Sequence, residues 1–218
     1  MKSATPYKDQ LPTKQTASRV LWLWIGGSGI GALVGAILVL TLYPSAAFGR
    51  NPTGQFGWHL VGFALAIGIP FAISQWLILR YVLRYRKRVN IPFLVLWIPV
   101  TSIGFTFMIL PLWWWDAEVF FFAPWYVVVP MLPGMIFLGL GQWFVLYRAI
   151  TARFIWVLYT MLGAVTGAVL GLIASFILFP LPLEATWAFV VGASIGALQG
   201  SVLVSDLDAD LRRREQSS

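Results

Sequence analysis

Few side chains in this sequence have the means to do chemistry. There is one histidine, His59, and no cysteine. Zinc, haem and iron–sulfur centres therefore lack their usual donors, and a thiolate nucleophile is excluded. His59 stands beside Trp58 at the end of an apolar run, with no evident partner for a Ser-His-Asp relay, and reads first as an interfacial polar residue. Asp116, Glu118 and Glu184 fall between apolar runs. Solvated loop carboxylates are their ordinary reading, and a hard-cation site is the sharper one. No Asp, Glu, Lys or Arg lies deep in an apolar run, which disfavours a proton-coupled pump or ion exchanger. Glycine-rich stretches sit inside the runs instead of following a strand, so a phosphate-binding loop is not supported. The expectation is a non-enzyme without metal or cofactor.

What remains is a set of amides. Ser74-Gln75-Trp76-Leu77-Ile78-Leu79-Arg80 recurs as Gly141-Gln142-Trp143-Phe144-Val145-Leu146-Tyr147-Arg148, and Leu198-Gln199-Gly200-Ser201-Val202-Leu203 is a weaker third copy. Trp58 precedes Gln75 by seventeen residues, and Trp125 precedes Gln142 by the same interval; the third copy is shorter, from Trp187 to Gln199. Three residues before each amide stands a small residue, Ala72, Gly139 or Gly196, on the same helical face. An amide in hydrocarbon needs a partner. Gln75, Gln142 and Gln199 therefore read either as separate interhelical hydrogen bonds or as the lining of one neutral, polar constriction.

The elements that carry them are membrane helices. The chain is 59% hydrophobic and 11% charged with mean hydropathy +0.81, outside the range of soluble domains. Apolar runs at about 20–43, 57–82, 91–114, 119–147, 154–179 and 186–205 are long enough for a bilayer core of about 30 Å and lack strand alternation. The fold expected is an all-α membrane protein of six transmembrane helices. They form three parallel hairpin repeats (about 20–82, 91–148 and 154–205) in an approximate pseudo-threefold bundle. Residues 1–18 and 207–218 read as short tails outside the 19–206 membrane domain, the first of them disordered. Pro124, Pro130 and Pro133 predict a kinked or interfacial start to the fourth run.

Charge sets the orientation. Lys2, Lys8, Lys14 and Arg19 precede the first run, and Arg80, Arg84, Arg86, Lys87 and Arg88 separate the second from the third. Arg148 and Arg153 separate the fourth from the fifth, Arg212, Arg213 and Arg214 follow the sixth, and the opposite side holds only Arg50. The positive-inside bias predicts cytoplasmic termini in a bacterial plasma or internal membrane. It also accounts for the net charge of +7 without nucleic acid. Arg84, Arg86, Lys87 and Arg88 read as contacts for lipid headgroups, or alternatively for an acidic partner. Trp22, Trp24, Trp76, Trp97, Trp143 and Trp156 near one set of ends, and Trp58, Trp113, Trp114, Trp115, Trp125 and Trp187 near the other, predict two interfacial belts.

Glycines at intervals of four mark packing faces: Gly27, Gly31 and Gly35; Gly163, Gly167 and Gly171; Gly192, Gly196 and Gly200. Internal packing is the first reading, and a face for another membrane subunit or a second copy is the alternative. Two functions are expected. One is a membrane accessory, scaffold or assembly protein acting through helix–helix contacts. The other is a small channel or facilitator for a neutral solute.

Gln75-Trp76-Leu77-Ile78-Leu79-Arg80 and Gln142-Trp143-Phe144-Val145-Leu146-Tyr147-Arg148, each closing a glycine-rich hairpin, resemble a loose group of uncharacterised bacterial multi-span membrane proteins. Their hairpins end in Gln-Trp-x-x-Leu-Arg. The likeness runs from Val20 onward; the second copy has one extra residue before Arg148, and Gln199-Gly200 lacks both Trp and Arg. It implies the hairpin architecture and transfers no catalytic residue. Mitochondrial carriers also use three two-helix units, but their Pro-x-acid-x-x-base signatures are missing here and no kinship is drawn.

Overall fold

Within hydrocarbon every backbone N–H and C=O must be satisfied inside the protein, and helices meet that demand segment by segment. The computed structural model describes residues 14–42, 58–83, 91–109, 124–147, 153–178 and 181–216, and nearly all of them are helical. The helices are α1 (Lys14–Leu42), α2 (Trp58–Leu83), α3 (Ile91–Leu94), α4 (Trp97–Ile109), α5 (Pro124–Leu146), α6 (Arg153–Ile177) and α7 (Leu183–Gln216). Five of them, α1, α2, α5, α6 and α7, are long and apolar enough to cross a membrane. These spans support a multi-pass integral membrane protein.

The third apolar run departs from expectation. It is broken at Val95-Leu96 into the four-residue α3 and the thirteen-residue α4. Pro99 explains the break, because a proline in a helix cannot donate to the carbonyl four residues back and its ring presses on it. That carbonyl, on Val95, instead accepts from the N–H of Ile98 at 3.1 Å, while Leu96 N–H turns back to Phe93 at 3.1 Å. By contrast α5 runs through Pro130 and Pro133, and Pro124 occupies its first position, where a missing N–H costs nothing. Near residues 14–18 the chain is also more helical than the disordered-tail reading allows. Helix α1 begins at Lys14, inside the segment read as a disordered tail, with Ala17 already buried. Helix α7 continues past residue 206 to Gln216, its Leu207 buried against the bundle.

The six longer helices pack as a closed ring in the order α1, α2, α4, α5, α6, α7 and back to α1. Inside lie two apolar clusters. One joins Ala32, Ala36, Ile67, Phe71, Phe105, Met135, Ala164 and Ile195. The other joins Trp24, Leu79, Leu83, Trp97, Leu146, Trp156 and Leu203. On α2, α5 and α7 a glutamine (Gln75, Gln142 and Gln199) separates the two.

The glycines set how closely neighbours approach. A methyl group on Gly35 would fall on the backbone of Ile67, and one on Gly163 would come within 2.7 Å of the Ile195 Cα. Gly31 faces Phe71 and Ser74, Gly27 faces Ile78, Gly167 faces Val191, and Gly171 faces Trp187. Gly192, Gly196 and Gly200 face Ser28 and Trp24 of α1. All nine therefore lie at contacts within the bundle, between α1 and α2, α6 and α7, or α7 and α1. The carbonyl of Ala66, which Pro70 leaves without its helical donor, lies beside Gly35.

Candidate functional site

The three glutamines meet at the centre, each with no solvent exposure. Gln75 Nε2 donates to Gln199 Oε1 at 3.2 Å, Gln199 Nε2 to Gln142 Oε1 at 2.6 Å, and Gln142 Nε2 to Gln75 Oε1 at 3.4 Å. The three bonds run in one rotational sense and close a ring. Each amide has a second N–H, and each spends it on a hydroxyl of the helix that precedes it in the chain. Gln75 reaches Ser28 at 3.0 Å, Gln142 reaches Thr101 at 3.1 Å and Gln199 reaches Thr160 at 2.8 Å. All six amide hydrogens are thus used inside the protein. Thr160 passes its own hydrogen to the carbonyl of Trp156 at 2.8 Å, extending the chain of bonds into α6.

Beside the ring sits a second constellation that the sequence reading did not find. Trp24, Trp97 and Trp156 each stand four residues before the hydroxyl just described, which puts them one helical turn away on the same face. Their rings meet edge to face, with centroids 6.2, 6.2 and 6.1 Å apart and interplanar angles of 71°, 72° and 74°. Edge-to-face contact sets the positive rim of one indole against the negative face of the next. All three have no exposure. They are not members of a headgroup belt, and that expectation is corrected for them; Trp187, 2% exposed, is likewise turned into the bundle. Trp22, at 68%, faces outward as expected. The signal that could have found the cluster is Trp-x-x-x-Ser/Thr, repeated in α1, α4 and α6.

The indole of Trp156 donates to Gln142 Oε1 at 3.4 Å, tying the two constellations together. The indole N–H groups of Trp24 and Trp97 are buried without a partner in the structure. At the same end of the bundle Arg80 lies over the ring of Trp76, 5.5 Å from its centroid, in cation–π contact.

Chemically, the centre is neutral, and its amide hydrogens are all bonded. It holds amides, hydroxyls and indoles, with no acid, base or nucleophile poised to react. Asp206, 5% exposed, is the one buried carboxylate among the described residues, and it lies near the end of the α7 span. No three His, Cys, Asp or Glu among the described residues come together as a metal site. The basic cluster Arg84, Arg86, Lys87 and Arg88, together with Asp116 and Glu118, lies outside the described residues. No protein-family model, curated protein or solved structure matches the chain.

Proposed function

We propose that the chain is a non-enzymatic integral membrane protein that acts through helix–helix contacts as an accessory, scaffold or assembly subunit. We further propose that its spans are three parallel hairpin repeats about an approximate threefold axis. The observation that carries this reading is the closure of the amide ring. Every amide hydrogen is spent within the protein, so the ring serves to register the hairpins and its amides have no free donor for a substrate. Each hairpin supplies one ring amide, one hydroxyl and one tryptophan at matching places, which supports the repeat.

Function then falls to the outside. Positive-inside charge puts both termini in the cytoplasm and the spans in a bacterial plasma or internal membrane. The partner is another membrane protein or a second copy, and nucleic acid has no part. The glycine stripes are not its docking face, since they are turned into the bundle; the outward surfaces are bulky, such as Ile30, Val34 and Ile37 on α1. Affinity purification in mild detergent should recover a stable membrane partner or a homo-oligomer. A bare monomer in several detergents and in native membranes would overturn the reading.

One observation favours the second reading, a facilitator for a neutral solute: the three amides converge at one central place instead of lying on separate interfaces. For that function the ring has to open. Vesicles reconstituted with the protein would then show glycerol or urea flux above empty vesicles, and Gln142→Leu would change it. Flux equal to that of empty vesicles leaves the scaffold reading standing.

A further inference from the structure

Past its apolar span, which ends at Ala209, α7 continues as a charged helix. Across the end of that span, beside Leu21 of α1, lies an open groove of about 450 Å³. It is lined by Leu21 of α1 and by Ser201, Val204, Ser205, Asp208 and Arg212 of α7. Counted from Ser201, the α7 residues fall at +3, +4, +7 and +11, so they share one helical face. Their order is graded. Leu21 and Val204 offer apolar surface, the two serines offer hydroxyls, and the outermost turn carries one carboxylate and one guanidinium.

We propose that this groove holds a phospholipid whose headgroup carries a primary ammonium beside its phosphate, the phosphoethanolamine class. The groove straddles the end of a membrane span, which is the depth at which glycerol esters and headgroups lie. Asp208 and Arg212 stand one turn apart, roughly 6 Å along the axis. A phosphate and an ammonium joined by a two-carbon bridge cover a comparable distance. The guanidinium takes the phosphate through its planar fork, and the carboxylate accepts charge-assisted hydrogen bonds from the ammonium. Ser205, one turn deeper than Asp208, is placed to donate to an ester or phosphate oxygen. The hydroxyl of Ser201 already donates to its own Leu198 carbonyl at 2.7 Å, leaving its oxygen as an acceptor.

The same charges select against the neighbouring lipid classes. A choline headgroup carries no N–H for Asp208. A glycerol headgroup offers hydroxyls in place of the ammonium, so its hydrogen bonds to Asp208 lose one of the two charges. This inference rests on α7 crossing a bilayer and is independent of the scaffold reading, because lipid preference is read whether or not a protein partner exists.

The test is native mass spectrometry of the full chain in detergent, titrated with phosphatidylethanolamine, phosphatidylcholine and phosphatidylglycerol of identical acyl chains. The ethanolamine lipid should be retained roughly tenfold more tightly than either of the others, the equivalent of one charge-assisted hydrogen bond. Asp208→Asn should erase that preference, Asp208→Glu should keep it, and Arg212→Gln should weaken all three lipids. Both residues are partly exposed, so these variants leave the core untouched. Equal or tighter retention of the glycerol lipid, or an ethanolamine preference that survives Asp208→Asn, would overturn the proposal. So would equally strong competition by chain-free glycerophosphoethanolamine, since the apolar floor would then contribute nothing.

Discussion

Gln199 Nε2 lies 2.6 Å from Gln142 Oε1, and this contact between residues 57 apart in sequence is the shortest edge of the central ring. It joins α7 to α5, helices from different hairpins that are not successive members of the bundle wall. Contacts of this kind fix which hairpin stands where, something lipid-like side chains cannot do by shape alone. Hydrogen bonds between membrane helices average about 0.6 kcal/mol, so the strength of the ring lies in its being complete.

Replacing one member should therefore cost more than its share. Gln142→Leu strands the Gln199 donor, the Gln75 acceptor and the Thr101 hydroxyl in a site closed to water, and should destabilise by about 2–3 kcal/mol. The triple variant with Leu at 75, 142 and 199 leaves no stranded amide. It should cost less than the sum of the three single changes. Denaturant or SDS titration of the purified protein measures both, and strict additivity would show that the ring does not act as a unit.

Glycine positions should separate sharply. Gly35→Ala drives a methyl into the Ile67 backbone and should cost about 1–3 kcal/mol through overpacking of α1 on α2. Gly26, one residue before the Gly27 stripe, has open space around it. Gly26→Ala should leave stability unchanged or raise it by up to about 1 kcal/mol. Equal thermal inactivation of the two variants would refute the packing argument.

Tryptophans should divide in the same way. Trp97→Ala empties the indole cluster and should cost about 3–5 kcal/mol, whereas Trp22→Ala, on the outer face, should change fold stability by less than about 0.5 kcal/mol. The folded fraction left after heating in detergent, followed by fluorescence-detected gel filtration, gives the comparison. A milder effect at 97 than at 22 would reverse the assignment of inner and outer faces.

Orientation can be read directly because the chain has no cysteine to remove. Tyr85→Cys, in the basic segment, should react with an impermeant maleimide only after cells are opened, and Asn51→Cys should react in intact cells. The opposite pattern would invert the topology.

Spans and the positions of Gln75 and Gln142 were legible in the sequence, since a polar residue inside an apolar run stands out whatever the fold. The convergence of the amides was open, and the burial of Trp24, Trp97 and Trp156 was missed. Both failures have one cause. In a soluble helix polarity marks the outer face, but lipid is as apolar as the protein interior, so the rotational phase of a span leaves almost no trace in composition. Trp22 and Trp24 show the difficulty: two residues apart in one apolar run, one lies outside and the other at the centre. The break at Val95-Leu96 was missed for a simpler reason, because Pro99 sat within a run whose hydropathy never fell.

The ring also has an electrical consequence. Each amide is a dipole pointing from its oxygen toward its nitrogen, and here three are laid end to end around a triangle. Vectors that chase one another around a closed figure add to almost nothing. The ring thus adds little net dipole of its own, although it gathers three amides at one buried place.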